Sequence, residues 1–171
     1  MLQALIFVVF PFCMLFAALS DMLSMTIANR VSILLVATFA VVAPMAGMDW
    51  ATYGWHFAAA MLILMVTFTL FALGGMGGGD AKMMAATALW MGFSFELLQY
   101  LVYAALIGGL LTFFLLLYRG SVLAAFTGHN LFLKNFADAR QGVPYGIALG
   151  ISGLSVYPST YLAQWALMSL V

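Results

Sequence analysis

Charge is so scarce in this chain that the positions of its few ionised side chains decide what it can fold into. Five basic and five acidic residues serve 171 positions. They stand at Asp21, Arg30, Asp49, Asp80, Lys82, Glu96, Arg119, Lys134, Asp138 and Arg140. A charge is expensive in hydrocarbon, so these positions mark loops and helix ends. Soluble domains carry about a quarter charged residues; here 6% are charged, 67% are hydrophobic, and the mean hydropathy is +1.17. The bilayer must be part of the solvent.

A crossing helix needs about 20 residues, fewer where its ends snorkel. The uncharged runs then give six spans, at 2–20, 31–47, 54–73, 82–95, 98–118 and 143–168. The fold class expected is all-α, a polytopic membrane helix bundle forming one domain over 1–171, without a soluble domain. Residues 83–118 hold only Glu96. One helix of that length would overrun the membrane at about 1.5 Å per residue, so a turn is expected at 92–96. Gly150, Gly153 and Pro158 offer a kink or break in the last span. The first segment lacks a basic start and a small-residue cleavage site, and is taken as a retained span.

With six spans, the loops 21–30, 74–82 and 119–142 share one side, and all five Lys and Arg residues fall in them. The positive-inside rule makes that side cytoplasmic and puts both termini outside. The longest of these loops, 119–142, mixes Val122, Leu123, Phe126, Leu131, Phe132 and Phe136 with Lys134, Asp138 and Arg140, the pattern of an interfacial amphipathic segment. A net charge of zero gives no field to attract nucleic acid. The single cysteine, Cys13, excludes an internal disulfide and reads as a buried small hydrophobe. His56 and His129 have no ligand partner at helical spacing, so neither metal nor cofactor is expected. Met83, Met84 and Met91, and the stripe Phe113, Phe114 and Tyr118, read as lipid-facing or packing residues. Gly108-Gly109 reads as a site of close helix approach.

Two aspartates then stand out, Asp21 after the first span and Asp80 before the fourth, both on the cation-rich side. Asp80 ends the run Gly74-Gly75-Met76-Gly77-Gly78-Gly79-Asp80, an entropic liability that no helix or strand requires. Such backbone is tolerated near a membrane only where it packs in protein or lines a watery cavity. Gly77 and Gly79 would let an extended peptide lie close to Asp80. Two carboxylates that meet cannot both ionise easily. One can then take a proton from an attacking water while the other donates to the carbonyl, which is aspartyl protease chemistry. The bland alternatives are that Asp21 is a loop charge and Asp80 an N-cap. Lys82 either positions the glycine loop, favours an ionised Asp80, or snorkels. Asn29 either bonds the Asp21 loop or caps the second span, and capping is the simpler role.

The run Gly77-Gly78-Gly79-Asp80-Ala81-Lys82 resembles the GxGD signature of membrane aspartyl proteases. Within them it resembles the type IV prepilin peptidases, with their G-x-G-D-x-K. Asp21, Ile27 and Asn29 are similar to the family's first-aspartate loop, D…I-P-N, with Ala28 in place of proline. Val143-Pro144-Tyr145-Gly146 is similar to its (I/V)-P-(Y/F)-G at the last helix. The resemblance implies a membrane aspartyl endopeptidase with Asp21 and Asp80 as catalytic pair, and Gly77, Gly79, Lys82 and Asn29 supporting the site or the substrate. It further implies the short CpaA/TadV-like form without a methyltransferase domain, in the bacterial inner membrane. Its partners would be prepilins and pseudopilins of Flp (tight-adherence) systems, cut at the cytoplasmic face between basic leader and hydrophobic helix. The competing functions are a small membrane transporter and a non-catalytic pilus assembly factor of the same fold. A transporter should carry mid-span charges or a repeat, and neither is evident.

Overall fold

A computed structural model describes residues 1–121, 124, 126, 134–138 and 142–169, and among these every regular element is a helix. In chain order they are α1 (Leu2–Ser24), α2 (Asn29–Met45), α3 (Trp50–Ala72), α4 (Gly78–Met91), α5 (Phe95–Arg119), the single turn α6 (Lys134–Ala137), α7 (Tyr145–Val156), a 3₁₀ turn (Tyr157–Ser159) and α8 (Tyr161–Met168). The all-α expectation holds. α1, α3 and α5 are long and apolar enough to cross a membrane, and α2 is a shorter apolar helix.

The fourth helix departs from the span expected at 82–95. It starts at Gly78 and stops at Met91. The charges at Asp80 and Lys82 mark a loop by the hydropathy argument, yet both lie in the first turns of α4, where the helix N-terminus favours a carboxylate. Fourteen residues reach only about 21 Å, against about 30 Å of hydrocarbon. Ala81 and every residue from Met83 to Met91 are buried, against α2, α3 and α7. A helix enclosed on all sides has no amphipathic period to read. Met83, Met84 and Met91 therefore pack in the core, whereas Phe113 and Phe114 face outward.

The turn after α4 falls at 92–94, inside the expected window. Gly92 stops the helix with φ +69°, a conformation open mainly to glycine. A Cβ there would come within 2.7–2.9 Å of the His56 ring. His56 is itself buried, its Nδ1 2.7 Å from Leu89 O, a carbonyl the helix end leaves orphaned. Gly92→Ala is expected to cost roughly 2–4 kcal/mol from left-handed strain plus overpacking. The measurement is the thermal midpoint in detergent. Gly54→Ala, inside α3 with nothing within 4 Å of the added Cβ, should not lower it.

In hydrocarbon, apolar surface alone does not drive helices together, so small residues and buried polar bonds matter more. Both are present. Phe10, Trp90 and Tyr157 form a ring cluster joining α1, α4 and the 3₁₀ turn, with centroids 4.2–6.1 Å apart. The Trp90 indole donates to Leu35 O of α2 at 3.1 Å. The last span is broken at Tyr157–Ser159, beside Pro158. Gly150 and Gly153 are not the break. A Cβ on Gly150 would meet Met14 O at 2.8 Å and one on Gly153 would meet Met14 Sδ at 2.7 Å, so both let α7 lie on α1. Cys13 is buried as expected.

The helix order gathers alternate connections at two ends. At one end Trp55 and Phe93 bring the second and fourth connections together, with ring centroids 6.0 Å apart. Asp49 caps α3 there, accepting the Thr52 N–H at 2.8 Å, which holds its carboxyl below the usual range. At the other end lie Asp21, Ile27, Gly79 and Lys82. Of the amphipathic segment expected at 119–142, Val122, Leu123, His129, Leu131, Phe132 and Arg140 lie outside the described residues.

Candidate active site

Asp21 was expected to end the first span, but α1 runs on to Ser24, and Asp21 sits in its last turns with 5% exposure. Helix geometry explains how it is held. Met25 closes the helix in the left-handed region, φ 54°, with its N–H on Asp21 O at 2.9 Å. Ser20 Oγ donates to Thr26 O at 2.8 Å, fastening the chain that leaves the helix. That chain turns Ile27 inward and reaches Ala28 at φ −65°, ψ 134°. A proline ring would hold the same φ, so alanine there leaves the backbone path intact. One Asp21 oxygen, Oδ2, accepts the Gly146 N–H at 2.7 Å.

Asp80 occupies the third position of α4, behind the N-cap Gly77. It is not the N-cap itself. Its carboxylate faces back toward the Gly77 N–H, in the manner of the acidic partner of a capping box. The glycines before it have separate causes. Gly74, φ +77°, ends α3: its N–H reaches Phe71 O at 2.9 Å and the Gly75 N–H reaches Leu70 O at 2.8 Å, a Schellman closure. A Cβ on Gly77 would stand 2.7 Å from Asp80 Oδ2. A Cβ on Gly79 would stand 3.2 Å from Ile27 Cβ and 3.4 Å from its backbone. Gly79 therefore lets α4 begin against the loop that follows Asp21.

The two carboxylates line one cleft of about 650 Å³, together with Met25, Gly77, Thr112 and Tyr145. They interact electrostatically across it. Its volume lies within the range of about 300–1,000 Å³ seen for small-molecule sites. Its floor depends on a close approach that the glycine pair in the fifth span announces only in part. A Cβ on Gly108 would collide with the Tyr145 ring, whose hydroxyl donates to Ala104 O at 2.9 Å, while Gly109 has open space beside it. Gly108→Ala should displace Tyr145 and lower any activity that depends on the two carboxylates by about 10-fold to 100-fold, because small misplacements at a reacting centre have effects of that order. Gly109→Ala should stay within about twofold of the parent in the same assay, since exposed sites free of packing are tolerant.

Asn29 and Lys82 meet each other rather than an aspartate. Lys82 Nζ donates to Asn29 Oδ1 at 3.0 Å. The capping role expected of Asn29 fails, since Ala28 is the N-cap of α2 and no side chain caps it. The preceding residue already has the extended backbone that a cap needs, which leaves Asn29 one position inside the helix. Other supports have no obvious signal in the sequence. Asn135 of α6 donates to Met22 O and Leu23 O at 3.2 and 2.7 Å, beside Asp21. Arg119, at the end of α5, donates to Phe136 O and Gly142 O, both at 2.9 Å. The signal for Gly146 was present in Pro144-Tyr145-Gly146, but only the fold shows that its N–H meets Asp21.

A family model, the type IV leader peptidase family, matches residues 8–117, well over half of the chain and inclusive of both aspartates. The match stops short of Gly142–Gly146. Comparison with curated proteins and with solved structures gave no match. The chain belongs to the type IV leader peptidase family and is a membrane aspartic-type endopeptidase that acts on prepilins.

Proposed function

We propose that this peptidase removes the basic leader from Flp-type prepilins and pseudopilins at the cytoplasmic face of the bacterial inner membrane, with Asp21 and Asp80 as its catalytic pair. One observation carries the reading: two carboxylates from different helices line a single cleft in a chain of an aspartic peptidase family. One carboxylate takes a proton from a water as its oxygen attacks the scissile carbonyl. The other gives its proton to the carbonyl oxygen. Collapse of the tetrahedral intermediate expels the amine, which receives a proton from the pair. Gly146 N–H orients Asp21, and Gly77 leaves room for the Asp80 carboxylate.

The side of the membrane rests on the cations, all of which lie in the first, third and fifth connections or in the helix turns that flank them. The Flp class rests on likeness to the short CpaA/TadV-like form. Gly77 and Gly79, and the Lys82–Asn29 bond beside them, support the loop that the substrate would meet.

The test is co-expression with a Flp-type prepilin, with leader removal followed by gel shift. Wild type should shorten the prepilin and Asp21→Ala should not. A shortened product with Asp21→Ala overturns the pair. Cleavage of a longer type IV prepilin but not of a Flp-type one overturns the substrate class and leaves the pair standing.

A further inference from the structure

A second cavity, of about 670 Å³, lies outside the aspartate cleft. α2 and α3 meet near their connection, where Tyr53 donates to Ala40 O at 3.2 Å and its ring stacks on Phe39. Away from that end the two helices part, and the space between them is floored by α4. Ile33 and Val36 of α2 and Met61 and Leu64 of α3 wall it, over Ala86 and Leu89. Asn29 and Lys82, both exposed, stand at its mouth, with buried Ser32 just inside. Residues two apart on a helix point about 200° from each other, so α4 turns Asp80 to the catalytic cleft and Lys82 to this groove.

The groove matches an amphiphile in charge and in length. Its lining holds one cation and no carboxylate. Lys82 is bonded to neutral Asn29, which leaves the Asn29 amide nitrogen as a further donor, and Arg30 is exposed beside it. From Asn29 to Ala37, both of which line the groove, is about 12 Å of helix, most of the roughly 15 Å depth of one hydrocarbon leaflet. The small side chains of Ala85 and Ala86 leave depth for a chain rather than a bulkier helix. A basic leader peptide would be repelled at this mouth. In the orientation proposed above, the mouth opens to the cytoplasmic leaflet, where anionic lipids attract juxtamembrane lysines.

We infer that the α2–α3 groove is a binding site for an anionic glycerophospholipid, its phosphate on Lys82 and Asn29 and an acyl chain lying over Ala86. The lipid wedges the two helices that flank the catalytic α4.

The test uses the full chain in mild detergent, titrated with phosphatidylglycerol or with phosphatidylcholine of the same chains, and counts bound lipid by native mass spectrometry. One phosphatidylglycerol per chain should be retained in preference to phosphatidylcholine. Lys82→Gln should weaken that binding about fivefold, the worth of one lysine at an anionic surface. Ala86→Phe should abolish it by filling the floor. If Ala86→Phe does not fold, Ile33→Trp closes the same groove from its exposed wall. Inorganic phosphate at equal concentration should not displace the lipid. Equal retention of phosphatidylcholine, unchanged binding in Lys82→Gln or the groove-filling variant, displacement by phosphate, or occupation of the groove by a second copy would each overturn the site. Asp80→Asn should bind lipid as wild type does, so failure here is separate from failure of the catalytic pair.

Discussion

Asp21→Asn and Asp80→Asn are each expected to slow leader removal by about 10²–10⁴-fold, the range for loss of a positioned acid or base, without loss of thermal stability. Asparagine keeps the shape of aspartate. At position 21 its carbonyl can still accept the Gly146 N–H that now bonds Oδ2 at 2.7 Å. At position 80 it stays in the first turn of α4, behind the Gly77 cap. What disappears is the ability to exchange a proton, which the proposed mechanism asks of both partners at different moments of the reaction. The effects should not add, because either loss already disables the unit: the double variant should be about as slow as the slower single. Stability should move the other way. Two carboxylates lining one cleft repel when both are ionised, and each is desolvated there, so a neutral amide relieves a strain that the fold carries for function. Cleavage and the detergent melting midpoint, measured on the same preparations, separate the cases. Full cleavage by either variant would sink the pair. Joint loss of cleavage and of melting midpoint would assign the residue to structure.

Much of this arrangement was legible because charge is so rare. Asp21 closes an odd-numbered crossing and Asp80 opens an even-numbered one, so parity alone puts them at the same end of the bundle. The turn at 92–94 followed from length, since no single helix could hold 83–118 in a bilayer. Charge misled at α4, whose first turns include Asp80 and Lys82. Asp80 is only half-buried there and Lys82 is exposed, so the helix begins where charged groups still reach a polar surrounding. As sequence the glycine run reads as one device for substrate approach, yet its members answer to different neighbours: a helix stop at Gly74, the Asp80 carboxylate at Gly77, the Ile27 backbone at Gly79. Asn29 reads as a cap by residue type, but its side chain accepts from Lys82, 53 residues away. Contacts of that kind depend on how two helices cross, and a single sequence carries no record of the crossing.

The least legible contact is also the one whose disruption should be most informative. Gly146 lies 125 residues from Asp21, and the group it offers is a backbone N–H, which has no side-chain signature. A Cβ at Gly146 would stand 2.8 Å from Asp21 Cβ, 2.9 Å from Oδ2 and 2.9 Å from Ile27 Cδ1. Rotating the carboxylate away does not relieve the first of these, because Asp21 Cβ is fixed by its own helix. Either α7 or α1 must give way, and each carries part of the cleft. Gly146→Ala is therefore expected to reduce leader removal by at least about 10²-fold, the effect of an ångström-scale misplacement at a reacting centre. Local propensity argues against a trivial cause, since Gly146 stands in the first turn of α7 and alanine is a better helix former than glycine. Gly142→Ala supplies the comparison within the same segment: its added Cβ would meet only Met25 Cε, at 4.0 Å, and its activity should remain within about twofold of wild type. The ratio of the two variants in one gel-shift assay measures what the close approach of α7 contributes to holding Asp21. Equal activity would mean that the Gly146 N–H does not position the carboxylate in the working enzyme.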